Sequence, residues 1–277
     1  MRILLCILLS LHVLQAQPEV GVAVSIKEAG TTHAAGFGFL VATVPEVISP
    51  AASDQEFATR LRELEQLKTP VYALNIFIPA EIKLVGATTD EGKIIDYTQK
   101  VFERCRQANI KLIVWGSGGA RKIPTDFSKA EATTQFIEIA RKVADQAAQQ
   151  GIVLALENLN TTETNFINTV AEALEIVKAV NRKNFRLCAD IYHMLREGEP
   201  AATLLRCKGY LVHIDLAEKE NRSAPGVHRE DFTAYLKALK KIKYSGKLVL
   251  ECRWDNWVAQ AGPSRLYLQQ QIDQVWK

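Results

Sequence analysis

Gly151-Ile-Val-Leu-Ala-Leu-Glu157-Asn-Leu-Asn-Thr-Thr-Glu163 is an apolar run that stops at a carboxylate, with a second carboxylate six residues on. Residues 152–156 show no polar alternation, the pattern of a strand covered on both faces by helices in a parallel sheet. A glutamate closing such a strand stands at its carboxyl end, where α/β folds keep their ligand sites. The alternative is a structural one: a strand-end acid that caps the next helix or pairs with an arginine. The rest of the chain decides between them by whether other strands close the same way.

Working outward, further strands are expected at 20–25, 37–43, 71–77, 110–115, 185–190, 210–216 and 247–251. Between them fall helical stretches at 27–35, 53–67, 90–109, 128–150, 168–180, from about 199, at 231–241 and at 263–276. Ser53-Asp-Gln-Glu56 opens the second of these with a capping-box pattern. Eight strands alternating with helices, joined by right-handed crossovers, predict a single-domain (β/α)8 TIM barrel. An open doubly wound sheet is the alternative, but it seldom needs eight evenly spaced units.

The 277 residues, 48% hydrophobic and 23% charged, suit one such domain with a full core. Lys and Arg number 34 against 31 Asp and Glu. That balance, with no basic stretches interleaved with aromatics, excludes a nucleic-acid or membrane-surface partner. The first residues are a separate element. Met1-Arg2, an apolar stretch to Leu14 and a small residue at Ala16 describe a secretory signal peptide, too short to span a membrane. Residues 1–16 are therefore expected to be removed, and 17–277 to be an exported periplasmic or secreted domain with no membrane attachment. Cys105, Cys188, Cys207 and Cys252 form no CxxC pair. Buried free thiols are expected, a bridge through Cys207 being the alternative.

The acids recur. Strands five, six and eight end in Glu157, Asp190 and Glu251, and strand seven carries His213 and Asp215 two residues apart. Thr43-Val-Pro-Glu46 brings another acid to the end of strand two. In a closed barrel these strand ends face one mouth, where crowded carboxylates repel one another and their pKa values rise. A divalent cation is the simplest compensation. Oxygen donors with at most one imidazole favour Mn2+ or Mg2+, with Zn2+ and Co2+ as alternatives. Gly116-Ser-Gly-Gly119-Ala-Arg121 lacks the Lys-Ser/Thr of a P-loop and is expected to be a tight turn bringing backbone and Arg121 to the site's edge. Trp115, Trp254 and Trp257 follow strand ends, placed either to stack on a sugar or to pack between loops and helices.

Three motifs carry a specific resemblance: Glu157-Asn-Leu-Asn with Glu163, Asp190-Ile-Tyr-His193-Met, and Arg222 before Pro225-Gly226, completed by the Glu251 strand end. Nearly the whole mature chain resembles the sugar phosphate isomerase/epimerase superfamily of xylose-isomerase-like barrels, the D-tagatose and D-psicose 3-epimerases being the nearest branch. The resemblance implies metal-assisted proton transfer on a keto-sugar, with two glutamates acting on opposite faces of one carbon. By position, it makes Glu157 and Glu251 metal ligands and the acid/base pair, and Asp190 a ligand. His193 and Arg222 become contacts to substrate oxygens, and Glu163 a supporting carboxylate. The family's strand seven carries His-x-His or His-x-Gln with the second residue on the metal. Here that register holds Asp215, the favoured ligand, with His213 the alternative.

The implied enzyme is a metal-dependent isomerase or epimerase of a small keto-sugar, working through an enediolate. A lyase or dehydratase of the same superfamily, expelling a group from a 3-keto-glycoside or an inosose, would use the same residues. A non-catalytic exported sugar-binding protein is the reading from another class. A homo-oligomer is compatible with all three.

Overall fold

Eight short strands hydrogen-bond only to their sequence neighbours, and the last returns to the first. The computed structural model describes residues 15–277, so the expected leader lies outside the described residues except for Gln15 and Ala16. Strands β1 (Val20–Ala23), β2 (Leu40–Thr43), β3 (Val71–Asn75), β4 (Leu112–Trp115), β5 (Val153–Glu157), β6 (Phe185–Asp190), β7 (Leu211–Leu216) and β8 (Lys247–Leu250) run parallel and close in that order. Helices α1 (Ala29–Ala34), α2 (Val44–Val47), α3 (Asp54–Glu65), α4 (Glu91–Gln107), α5 (Lys129–Gln149), α6 (Val170–Val180), α7 (Ile191–Glu197), α8 (Thr233–Lys241) and α9 (Trp257–Trp276) surround them. The (β/α)8 barrel expected from the alternation is the fold observed.

Two layers of apolar contact hold it. Between strands and helices lies the larger core, to which α5 contributes Phe136, Ile139, Ala140, Val143, Ala144 and Ala147 from one face. Inside the barrel is a smaller cluster of Phe39, Val41, Ala73, Leu112, Val114, Ala155, Cys188 and Val249. Side chains alternate faces along a strand, so the next inward position lies two residues on. Two beyond Ala73, Ala155, Cys188 and Val249 stand Asn75, Glu157, Asp190 and Glu251. The apolar interior therefore gives way to a polar ring at one end, and the register pairs Asp190 of β6 with Asp215 of β7.

Capping marks the helix starts. Ser53 and Ser128 each accept from the backbone N–H three residues on, and Glu56 and Glu131 return the contact, complete capping boxes worth about 1 kcal/mol each.

Several boundaries differ from expectation by a few residues, and some of these have a clear local reason. Strand β3 stops at Asn75 because Ile76 turns to φ +50°, a left-handed conformation that a β-branched residue adopts at a cost. The helix after β6 begins at Ile191, since the Asp190 side chain caps it through the N–H groups of Tyr192 and His193. The helix expected from about Glu199 is a 3-10 helix over Ala201–Cys207, and Glu199 just before it accepts from the N–H groups of Val170 and Ala171 at the start of α6. Helix α9 starts at Trp257 under an Asn256 cap and runs through Pro263, whose missing N–H forgoes only the bond to the Ala259 carbonyl. Among the described residues, no helix is long and apolar enough to cross a membrane.

Candidate active site

Four acids stand at the carboxyl ends of four consecutive strands, β5 to β8, and their surroundings differ. Glu157, at the end of β5, is buried, and its Oε2 lies against the backbone of Gly116: a Cβ there would stand 2.3 Å from that oxygen. Only a glycine at this turn lets the carboxylate sit where it does. Asp190 spends Oδ1 on capping α7, accepting from Tyr192 N at 2.7 Å and His193 N at 3.3 Å. Its Oδ2 lies 3.4 Å from the Arg222 guanidinium and 3.3 Å from His193 Nε2. Asp215 accepts from His213 Nε2 at 3.0 Å on Oδ1 and from the Cys188 thiol at 3.3 Å on Oδ2. Glu251 accepts from Asn75 Nδ2 at 2.8 Å on Oε1 and from Arg222 on Oε2.

Burial and the crowding of carboxylates raise Glu157, Asp190 and Glu251. Burial first, then Glu251, Asp190 and Asp215, push the Glu157 carboxyl well above its ordinary range. Burial lifts Asp190 and Glu251 to about 7 each, against the opposing pull of Arg222. Burial works against the Arg222 cation too, but Glu251, Asp190, Glu157 and Glu163 outweigh it and hold its value above the usual arginine range.

His193 is held as a neutral donor. Burial lowers its pKa to about 3. Asn160 Nδ2 donates to its Nδ1 at 2.8 Å, which leaves the ring proton on Nε2. That Nε2 lies 4.0 Å from both Glu157 Oε1 and Glu163 Oε2. Asn160 also reaches Glu163 Oε1 at 3.2 Å, and Arg222 approaches the same oxygen at 3.5 Å. The Arg222 guanidinium lies 4.9 Å over the Tyr192 ring, and its Nε donates to the Glu251 carbonyl at 3.1 Å.

The donor geometry distinguishes the two strand-seven residues. Glu157, Asp215 and Glu251 each offer an oxygen, and the three lie within 4.8 Å of one another; Glu157, Asp190 and His193 form a second such group. His213 groups with Cys188 and Asp215 instead, one layer deeper in the barrel. The structure thus brings Asp215, not His213, within reach of both glutamates, and sets His213 behind it as a hydrogen-bond donor. Buried hard oxygen donors whose charge is incompletely offset by one arginine fit a divalent cation.

Other expectations resolve differently. Glu46 sits in α2 and binds Ser25 Oγ and the Ile26 N–H, away from the cluster, so the acid near the end of β2 is structural. The Gly116–Gly119 turn does line the cleft, but Arg121 is fully buried beneath it, reaching the carbonyls of Trp115 and Ile167 at 3.5 and 3.4 Å. Trp115 packs edge-on against Phe77 and Phe185, and Trp254 and Trp257 pack on each other. For all three, packing is the observed role. Cys105, Cys188, Cys207 and Cys252 are free.

Sequence reasoning missed Asn75, which orients Glu251, and Asn160, which orients His193. Asn75 carries a readable signal: like Glu157, it is a polar residue closing an apolar strand two positions after an inward alanine. The cleft above the ring has a volume of about 410 Å3. Its lining joins Glu157, Glu163, His193, Arg222 and Glu251 to Asn75, Ile76, Ile78, Pro79, Ala80, Leu159 and the Gly116–Gly119 backbone.

With this geometry in place, comparison with known proteins becomes specific. The family model described as "Xylose isomerase-like TIM barrel" matches residues 27–274. The chain belongs to the xylose isomerase-like TIM barrel family. Within it, the chain is 32% identical over 175 residues to D-psicose 3-epimerase of Agrobacterium fabrum, covering 61% of each protein. It is 37% identical over 122 residues to L-ribulose 3-epimerase of Methylomonas sp., covering 44% of this chain and 42% of that one. The matched stretches thus span less than two thirds of these relatives. Among solved family barrels, D-allulose 3-epimerase from Methylomonas sp. superposes with a TM-score of 0.78 at 22% identity, over 92% of this chain and 98% of that one, a likeness of fold.

Proposed function

We propose that this chain is a divalent-metal-dependent epimerase or isomerase of a neutral keto-sugar. The observation that carries the proposal is the meeting of Glu157, Asp215 and Glu251 at one barrel mouth, with donor atoms mutually within 4.8 Å and the cleft open above them. The names of the sugar-epimerase relatives support the same reading.

Glu157, Asp215 and Glu251 would hold the cation, with Oδ2 of Asp190, the oxygen not capping α7, beside them. Once bound, the ion would act as a Lewis acid for the carbonyl and neighbouring hydroxyl oxygens, Mn2+ or Mg2+ suiting an all-oxygen set. The protein's own groups do the rest. One of the two glutamates removes the proton beside the carbonyl, giving an enediolate, and the other returns a proton to the opposite face. Asn75 and Arg222 fix the Glu251 carboxylate in orientation, whereas Glu157 is fixed by the Gly116 backbone. His193 presents Nε2–H, and Arg222 its guanidinium, to the oxygens on which charge develops.

Arg222 is already engaged with three carboxylates. A cleft so equipped suits hydroxyls over a phosphate ester. The signal-peptide pattern of residues 1–16 supports an exported enzyme, for which a free or glycosidic keto-sugar is the fitting substrate.

The test is incubation of the metal-loaded protein in heavy water with a panel of free ketoses and 3-keto-glycosides. Deuterium gained at the carbon beside the carbonyl, with no group lost, is the expected result. Release of an aglycone or of water would make the enzyme a lyase on the same residues. No exchange with any sugar, in protein that binds Mn2+, would overturn the proposal.

A further inference from the structure

The loop between β7 and α8 carries Arg222, and an acid that does not line the cleft holds that loop in shape. Glu218 is fully buried, two residues past the end of β7. Its carboxylate accepts backbone N–H groups from across the loop: Gly226 at 2.6 Å and Glu230 at 3.2 Å on Oε1, and His228 on Oε2. A buried carboxylate is costly unless its lone pairs are satisfied, and here three N–H groups converge on it.

Between these anchor points the backbone is forced. Asn221 and Arg222 both take left-handed conformations, at φ +57° and +55°, which two successive non-glycine residues keep only where the surroundings impose them. The Glu218 N–H donates to the Ser223 carbonyl at 2.9 Å, closing the turn from within. The Arg222 carbonyl accepts from the Arg253 N–H at 2.8 Å, which ties the turn to the extension of β8 beyond Glu251. The outcome is a guanidinium aimed at Glu251, Asp190 and Glu163.

We infer that Glu218 is a positioning residue: it acts on the reaction only through the loop that presents Arg222. The inference rests on the role given to Arg222 above. An amide is nearly the same size as the carboxylate, but its NH2 would face a backbone N–H and leave that donor unpaired. Glu218→Gln should therefore loosen the loop without adding a group to the cleft. A misplacement of about 1 Å at a substrate contact can cost on the order of 100-fold in rate.

The test is a cycle of Glu218→Gln, Arg222→Ala and the double variant, each assayed for metal-loaded turnover and melting temperature, with limited trypsin cleavage after Arg222 compared between Glu218→Gln and the wild type. Glu218→Gln should lower kcat/KM about 30-fold and speed the cut after Arg222 at least tenfold. In the Arg222→Ala background it should cost less than twofold, because the group it positions is gone. Equal losses in both backgrounds, or an unchanged cleavage rate, would overturn the inference. Faster cleavage in a protein that turns over no sugar even as wild type would leave the loop role standing and remove the proposed function instead. If Glu218→Gln does not fold, Glu218→Asp, which keeps the charge on a shorter arm, is put through the same cycle.

Discussion

The two halves of the barrel mouth are built from opposite materials. Strands β5 to β8 bring Glu157, Asp190, Asp215 and Glu251, while β3, β4 and the loops after them bring Asn75, Ile76, Ile78 and the Gly116–Gly119 backbone. The first half supplies the carboxylates to which the proposal assigns cation binding and proton transfer. The second carries no acid at its strand ends, yet it decides where two of those charges sit: Asn75 holds Glu251, and Gly116 leaves room for Glu157. Chemistry concentrated on one side thus depends on geometry supplied by the other.

The sharpest way to break the comparison is to neutralise the charged half. Glu157→Gln and Glu251→Gln should each lower kcat by about 1000-fold, and the double variant should be little worse, since the pair acts as a unit. Steady-state turnover of whichever sugar exchanges deuterium checks this; a loss below tenfold in either would dismiss that residue as an acid or base.

Next comes the neutral half at its tightest point. Gly116→Ala places a methyl 2.3 Å from Glu157 Oε2, so the carboxylate must move. Activity should fall about 100-fold with the fold retained, as read by kcat together with circular dichroism. Near-normal activity would mean that Glu157 is not held by that turn.

A smaller effect is expected at Asn75. Asn75→Ala removes one charge-assisted hydrogen bond from Glu251 but leaves Arg222 in place. A contact worth about 1.5 to 3 kcal/mol, partly retained through Arg222, predicts roughly a tenfold fall in kcat. If the loss equals that of Glu251→Gln, the amide is more than an orienting group.

The mildest probe changes only protonation. The folded values of Asp190 and Glu251, about 7, exceed their unfolded values of about 4, so the folded chain binds more protons between these limits. The stability these groups contribute is present in full below pH of about 4 and is lost as pH rises through about 7. In chelator, the melting temperature should therefore fall across this window, and Mn2+ should restore it at the upper end. Melts that stay flat with pH in chelator and ignore Mn2+ would argue against crowded acids in the folded protein.

Much of the molecule was legible in the sequence because its signals are local. Apolar runs of strand length alternating with capped helices identify the barrel, and strand-end acids mark the mouth, since parity along a strand is a property of the chain itself. What was not legible depends on neighbours far apart in sequence. The acid at Glu46 reads like the one at Glu157 but lies against Ser25 and Ile26. Trp115 reads equally as a sugar-stacking or a packing residue, and only the structure turns it toward the helices.

The chain by itself therefore determined the fold, the end of the barrel that matters, and the identities of Glu157, Asp190, Asp215 and Glu251 as a set. Only the tertiary structure decided how that set is divided. Strand register puts Asp215 beside Asp190 with His213 behind it, closure of the barrel brings Asn75 across to Glu251, and the Glu218 loop turns Arg222 inward. Each depends on contacts between segments that no local pattern pairs, made definite by close packing in the closed barrel.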